Sequence, residues 1–224
     1  MIVSLHTWSD NDRESLIVLC NAVDRTFLSD RLPYPYTEAD ADWWLGMVAE
    51  NEGKEGAWRA IVMDGQIVGS ISVERMAEDQ LNVGSIGYMI LTPFWSQGIG
   101  TEAVRQICGI AFQELALERI IGEVFPENLA SARVLEKNGF RLKETKVGAI
   151  VKGQFRWDSP DCLNCPTQPI LTTQPSMTRI HRRHREHWYR QRKQAPDQVR
   201  RIRRGFCCIV PSDNCSNSRR NDRG

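Results

Sequence analysis

The chain has 224 residues, of which 41% are hydrophobic and 25% are charged, a balance typical of soluble globular proteins. No segment reaches the roughly 18 consecutive apolar residues of a transmembrane helix, and residues 1–10 lack the basic flank and apolar stretch of a secretory signal. The net charge of +1 divides into −8 over residues 1–158 and +9 over residues 159–224. These features predict a cytoplasmic protein with one domain over 1–158 and a tail over 159–224.

Residues 1–158 show the hydrophobic periodicities of a packed α/β fold. Trp43, Trp44, Met47 and Val48 recur at helical spacing after an acidic helix start at residues 37–40. The later elements follow in chain order. They are a strand at 57–63, a tight turn at Asp64-Gly65, strands at 67–73 and 83–91, a helix at 101–118, a strand at 120–125, a helix at 128–138 ended by Asn138-Gly139, and strands at 140–146 and 149–155.

The tail has a different composition. It contains six prolines and many arginines, and it has no sustained apolar period, so we expect it to be disordered. Pro160 follows Asp158 where a last strand should continue, and proline lacks the N–H that a strand ladder needs. The Arg, Cys, Ser and Pro richness is also typical of a shifted reading frame or unspliced sequence.

A glycine-rich turn lies between the strand at 83–91 and the amphipathic helix that follows it. Gly98 and Gly100 allow the backbone to turn tightly, and the helix start supplies free N–H groups and the positive end of its dipole. This combination predicts a diphosphate site. A plain structural turn remains the alternative, because two glycines alone are a weak motif.

The turn and three other stretches resemble the GNAT superfamily of N-acetyltransferases. Trp95 occupies the leading position of the superfamily's x-x-Gly-x-Gly motif, as in the subset similar to ribosomal-protein-alanine acetyltransferases. Residues 32–44, 65–71 and 127–140 are similar to further blocks of that subset, in the same order. The resemblance implies a mixed, mostly antiparallel sheet with helices on both faces. It also implies acetyl transfer from acetyl-CoA to a primary amine, such as a protein N-terminus or a small-molecule amine, without a metal.

The resemblance also implies a set of cofactor contacts. The pantetheine arm of acetyl-CoA would pair with the fourth strand, where that strand separates from the fifth. The residues expected at acetyl-CoA are Ile90, Leu91, Gln97, Gly98, Ile99, Gly100, Thr101 and Asn128.

Three residues are candidates for moving protons. Glu74 and Glu123 are candidate bases for the amine, although each is open to reading as an exposed or ion-paired strand residue. Many GNAT enzymes protonate the leaving thiolate with a tyrosine after the fifth strand, and this sequence has none there. Ser131, one helical turn after Asn128, is the candidate instead; the alternative makes Asn128 a helix cap and Ser131 a first-turn residue.

Aromatic residues are expected at the acceptor amine. The resemblance places Tyr34, Tyr36 and Tyr88 there, and the alternative is a loop that packs on Trp43 or Trp44. The acidic charge of residues 1–158 favours a cationic acceptor, and the sequence leaves a monomer and a homodimer both open.

The tail supports a rival hypothesis. Cys162, Cys165, His181 and His187, with His184 as a spare ligand, loosely fit a zinc template. The arginines, including the run at 200–204, predict nucleic-acid binding or nuclear import. The rival function is therefore a zinc- or nucleic-acid-binding protein with an inactive GNAT domain. Prolines at 166, 169 and 175 disfavour a zinc finger.

Overall fold

A computed structural model describes residues 2–28, 32–76, 82–152 and 155–162, with side chains up to Arg141. Within them, seven strands form one sheet in the order β1-β2-β3-β4-β5-β7-β6, and all neighbours are antiparallel except β4 and β5. The elements are β1 (Val3–Thr7), α1 (Arg13–Ala22), α2 (Glu38–Asn51), β2 (Gly56–Met63), β3 (Gln66–Arg75), β4 (Val83–Ile90), α3 (Ile99–Leu115), β5 (Arg119–Glu123), α4 (Leu129–Lys137), β6 (Leu142–Lys152) and β7 (Phe155–Cys162).

Helices cover both faces of the sheet because its strands are apolar on both sides. Along β2, Ala57 and Ile61 pack in the cluster with α3, whereas Trp58 and Ala60 pack in the cluster with α1 and α2. We call these the α3/α4 face and the α1/α2 face. This alternation follows from the two-residue period of a strand, and it sets the face on which every later side chain lies.

Tryptophans form part of the core on the α1/α2 face. Trp44 is 2% exposed and meets Trp8 edge-to-face, with ring centroids 5.5 Å apart. Trp43 is partly buried against the same cluster. The α2 helix begins after Thr37, as predicted, and its start is a capping box in which Thr37 and Asp40 exchange hydrogen bonds.

The hairpin between β2 and β3 confirms the predicted tight turn. Asp64 and Gly65 have φ values of 47° and 85°, and two successive left-handed residues match the twist of the flanking strands. Glycine adopts such a backbone without a steric penalty, and aspartate tolerates it better than most residues.

β4 and β5 separate before β4 ends. They pair only from Val83 to Ile86 on β4, against Arg119 to Gly122 on β5. β4 then continues to Ile90 alongside β3 alone. The sheet therefore has an opening beyond Ile86, between the end of β4 and the chain that follows β5.

Three features of the fold differ from expectation, and one of them is that the single strand β6 spans most of the two strands predicted at 140–146 and 149–155. No element was predicted before residue 37, yet β1 and α1 are both present. β7 also continues past Asp158 through Pro160 to Cys162. The expected break at the proline is wrong because β5 pairs with β7 only at Asp161 and Cys162, so Pro160 faces a pairing strand on one side only.

No helix in the described part of the chain is long and apolar enough to cross a membrane. The predictions for the tail from residue 163 onward, including its disorder and its basic run at 200–204, lie outside the described residues.

Candidate active site

The register of β4 determines which main-chain groups face the opening. The N–H of Leu91 donates to the Val68 carbonyl at 2.9 Å, and the N–H of Met76 donates to the Val83 carbonyl at the same distance. Odd-numbered residues of β4 therefore form hydrogen bonds with β3. Because consecutive residues of an antiparallel strand point their polar groups to opposite sides, Tyr88 and Ile90 direct theirs towards the opening.

This geometry separates the two residues predicted to contact the pantetheine arm. Ile90 faces the opening. Leu91 does not, since its N–H is bonded to Val68 and its carbonyl accepts the N–H of Phe94 at 2.9 Å. Both main-chain groups of Leu91 are thus engaged within the chain, and its contact with the pantetheine arm stays a prediction. The Ile90 carbonyl accepts the indole N–H of Trp95 at 2.7 Å, an interaction that the sequence did not predict.

The glycine-rich turn brings the start of α3 against this end of β4. Gly98 has φ 82° and ψ −4°, and no atom lies within 4 Å of the position that a Cβ would take. Gly100 faces β4, where a Cβ would lie 3.3 Å from Ile90 Cδ1. The turn is held by the Gln97 side chain, which donates to the Pro93 carbonyl at 2.9 Å.

The first helical hydrogen bond of α3 runs from the Glu102 N–H to the Gly98 carbonyl. The N–H groups of Ile99, Gly100 and Thr101 come before it, so they have no partner within the helix. α3 is 17 residues long, and its dipole adds positive potential at this point. The five residues predicted at the diphosphate, Gln97 to Thr101, therefore meet beside Ile90 in a site suited to an anion.

The start of α4 lies on the α3/α4 face of the opening. Asn128 Oδ1 accepts the Ser131 N–H at 3.0 Å, which makes Asn128 the N-cap of α4. Asn128 therefore caps α4, and its contact with acetyl-CoA stays a prediction. Ser131 Oγ lies 2.7 Å from the hydroxyl of Tyr88, so the structure brings the candidate acid together with a residue predicted at the acceptor.

The two candidate bases lie on the opposite face of the sheet. Glu74 Oε1 accepts from Trp58 Nε1 at 3.2 Å and from Ser72 Oγ at 3.1 Å. Glu123 is 9% exposed. A Cβ on its neighbour Gly122 would meet Leu135 of α4, so alternation places Glu123 on the α1/α2 face. The reading of Glu123 as an exposed strand residue is therefore wrong.

The tyrosines of the loop before α2 have separate environments. Tyr36 is 3% exposed, and its N–H donates to Asn21 Oδ1 at 2.8 Å. Burial raises the pKa of its hydroxyl, and the side chain belongs to the core on the α1/α2 face. Packing against the helices of this face covers the ring of Tyr36, and its contact with the acceptor stays a prediction. Tyr34 is 69% exposed, and the Arg25 guanidinium lies 5.4 Å from its ring centroid.

The described residues contain no group of three or more His, Cys, Asp or Glu placed to hold a metal ion. Of the zinc template, only Cys162 falls within the described backbone, at the end of β7. Cys165, His181, His184 and His187 lie outside it.

The chain is similar to named N-acetyltransferases. The probable N-acetyltransferase YjcK of Bacillus subtilis is 43% identical over 100 residues, which are 45% of this chain and 55% of that protein. The FsC-acetyl coenzyme A-N(2)-transacetylase of Aspergillus fumigatus is 29% identical over 161 residues, or 65% of this chain and 66% of that one. The putative ribosomal N-acetyltransferase YdaF of B. subtilis is 35% identical over 121 residues, or 53% of this chain and 63% of that one. The chain thus spans about half to two thirds of each of these relatives.

Solved structures share the fold at low sequence identity. The ribosomal L7/L12 alpha-N-protein acetyltransferase RimL in complex with coenzyme A has a TM-score of 0.64 and 17% identity, and the alignment covers 72% of this chain and 92% of that one. The microcin C7 self-immunity acetyltransferase MccE, solved with acetyl-CoA and AMP, has a TM-score of 0.63 and 16% identity, covering 72% and 91%. The model of the acetyltransferase (GNAT) domain matches residues 3–141, well over half of the sequence, and the chain therefore belongs to the GNAT acetyltransferase family.

Proposed function

We propose that this protein transfers the acetyl group of acetyl-CoA to a primary amine. The observation that carries the proposal is the opening beside β4, where the main chains of Tyr88 and Ile90 face away from β3 next to the start of α3. An extended arm that carries amides can pair with such a strand end, and a diphosphate is stabilised by the first N–H groups of a helix. Coenzyme A contains both the amide-carrying arm and the diphosphate. The end of β4 and the start of α3, which are suited to bind them, lie side by side in this site.

The amine must lose its charge before it attacks. Near pH 7.4, deprotonating a lysine-like amine costs about 4 kcal/mol, whereas an α-amine with a pKa near 7.8 costs only about half a kcal/mol. A base is therefore worth most to a lysine-like acceptor. Glu123 and Glu74 are the candidate bases, since both lie on the α1/α2 face on strands that flank β4.

The acceptor is expected on the α1/α2 face, because the candidate bases lie there. The relatives include a putative ribosomal N-acetyltransferase and an FsC-acetyl coenzyme A-N(2)-transacetylase, so their names do not point to a single acceptor. We therefore propose a primary amine as the class of acceptor. The rival function in the tail receives no support from these relatives, and the family match ends at residue 141.

Calorimetric titration of the full chain with acetyl-CoA, followed by a turnover screen, tests the proposal. The screen should compare a peptide α-amine, a lysine side chain and a polyamine at pH 7.4. Glu123→Gln and Glu74→Gln should slow lysine-like amines more than α-amines. Glu127→Gln, an exposed carboxylate in the neighbouring loop, is the control for lost charge. Failure to bind acetyl-CoA, or to acetylate any of these amines, would refute the proposed function.

A further inference from the structure

A contact between two hydroxyl groups joins β4 to α4 at the opening. The hydroxyl of Tyr88 lies 2.7 Å from Ser131 Oγ, and it also lies 3.3 Å from the main-chain carbonyl of Ser131. Both residues are partly buried. The 2.7 Å distance is that of a well-formed O–H···O hydrogen bond, in which either oxygen is able to donate.

Tyr88 borders the opening with both its main chain and its side chain. The main chain of Tyr88 points to the opening, and its side chain lies on the α3/α4 face, packed with Ile90 and Val134 around the apolar cluster of that face. Ser131 is fixed from the other side because its N–H is bonded to the Asn128 cap. The hydroxyl pair is therefore held by a strand and a helix end.

A serine hydroxyl alone is a poor acid for a leaving thiolate. A thiol has an ordinary pKa of about 8.5, whereas an aliphatic hydroxyl is close to water at about 15.7, so the proton transfer is opposed by a factor of about ten million. A phenol has an ordinary pKa of about 10, which reduces the factor to about 30. A serine that relays the proton of a phenol avoids forming an alkoxide.

We propose that Tyr88 supplies, through Ser131, the proton that the leaving thiolate takes up; this inference rests on the proposed acetyl transfer. As the bond between the acetyl carbon and sulfur breaks, its electron pair goes to sulfur. Sulfur takes the proton of Ser131 Oγ, Ser131 takes the proton of Tyr88, and the Tyr88 phenolate regains a proton from water. The amine proton leaves through the base on the other face, so no net charge is created. Tyr88 is a positioning residue here, and Ser131 is the group that meets the sulfur.

The alternative is that the hydrogen bond is purely structural and stabilises the packing of α4 against β4. Tyr88→Phe distinguishes the two, because it removes one oxygen and keeps the ring in the core. Loss of a purely structural hydrogen bond should slow the reaction with every acetyl donor equally. A proton supply that is lost should slow only donors whose thiol needs a proton on leaving.

The test compares acetyl-CoA with an acetyl thioester of an aromatic thiol, whose thiolate leaves without protonation. With acetyl-CoA, Tyr88→Phe should lower kcat about 30- to 100-fold and change KM less than threefold. With the aromatic thioester its loss in kcat/KM should be less than threefold. The double variant Tyr88→Phe/Ser131→Ala should be no slower than Ser131→Ala, since both act in one relay. Equal slowing with the two donors, or additive losses in the double variant, would overturn the relay.

The outcomes also separate this inference from the proposed function. A wild-type chain that acetylates an amine while Tyr88→Phe retains full kcat overturns the relay and leaves acetyl transfer intact. A wild-type chain that acetylates none of the amines overturns both. Thermal unfolding and acetyl-CoA titration of each variant show whether a rate loss comes from misfolding or weaker binding.

Discussion

A change of charge at Gly98 tests whether a diphosphate binds at the start of α3. Gly98 is exposed, and a Cβ there would have no atom within 4 Å, so a side chain would extend into open space beside the first helical N–H groups. Gly98→Glu and Gly98→Gln have the same shape and differ in one negative charge. The pair therefore separates charge from backbone strain.

The strain is common to both variants. Gly98 has φ 82°, and a residue with a Cβ in this left-handed region costs about 1–2 kcal/mol. For a domain of this size, that lowers Tm by about 2–8 °C in each variant. The charge acts only on the bound state. One charge about 7 Å from the two charges of a diphosphate, at an effective dielectric constant of about 40–80, weakens binding by about 1–2 kcal/mol.

Calorimetric titration with acetyl-CoA measures the difference. We expect Gly98→Glu to bind about 5- to 30-fold more weakly than Gly98→Gln at low salt, and the gap should shrink in about 0.5 M salt because the charges are screened. Equal affinity of the two variants at low salt would show that no anionic group of the ligand lies near Gly98, and the assigned site would then be wrong.

Three further predictions concern stability. The side chain of Arg59 is 7% exposed and pairs with Glu52 and also, at 3.0 Å, with Glu114. Arg59→Met should therefore lower the free energy of urea unfolding by about 3 kcal/mol, and an unchanged free energy would contradict a structural role for the pairs. Asn128→Ala should lose about 1 kcal/mol in thermal unfolding because the α4 cap is removed, whereas Asn128→Asp should keep most of it; equal losses would argue against capping. Arg105 and then Gln106 lower the pKa of Glu102 from 4.5 to about 2. The ionised Glu102 therefore contributes its full stabilisation of the fold above pH 4.5, and this stabilisation is lost as the pH falls through about 2. When the pH is lowered over that interval, Glu102→Gln should lose less stability than the wild type.

Local signals in the sequence were sufficient for much of the fold. The Asp64-Gly65 turn was identified because its backbone requirement is met by few residue pairs. α3 was identified from its apolar face, and the N-cap role of Asn128 was one of two readings that its position allowed. Leu16, Leu19 and Cys20 carry the same kind of helical spacing in α1, so the sequence holds a local signal for that helix as well.

Features that depend on pairing between distant segments could not be predicted in this way. Whether Ile90 or Leu91 faces the opening depends on the register of β4 against β3, which no local pattern fixes. The same holds for Pro160, because its tolerance depends on where β5 pairs with β7. Tyr34 and Tyr36 lie in a loop without a regular period, so the burial of one and the exposure of the other leave no trace in the sequence.

The placement of the candidate acid and bases follows from the geometry of β4. Along β4, the direction of the main-chain N–H and C=O groups and the face of the side chain both alternate with a period of two. Every β4 residue whose main chain faces the opening therefore has its side chain on the same face of the sheet. For Tyr88 and Ile90 that is the α3/α4 face, where Ser131 lies. The odd-numbered residues Ser85, Gly87 and Met89 place no carboxylate or phenol of β4 on the α1/α2 face. On the other face, Glu74 of β3 and Glu123 of β5 are the candidate bases for the amine. A ligand arm lying along β4 would therefore have its thioester between a hydroxyl pair on one side and a carboxylate on the other, an arrangement suited to general acid and general base catalysis of amide formation.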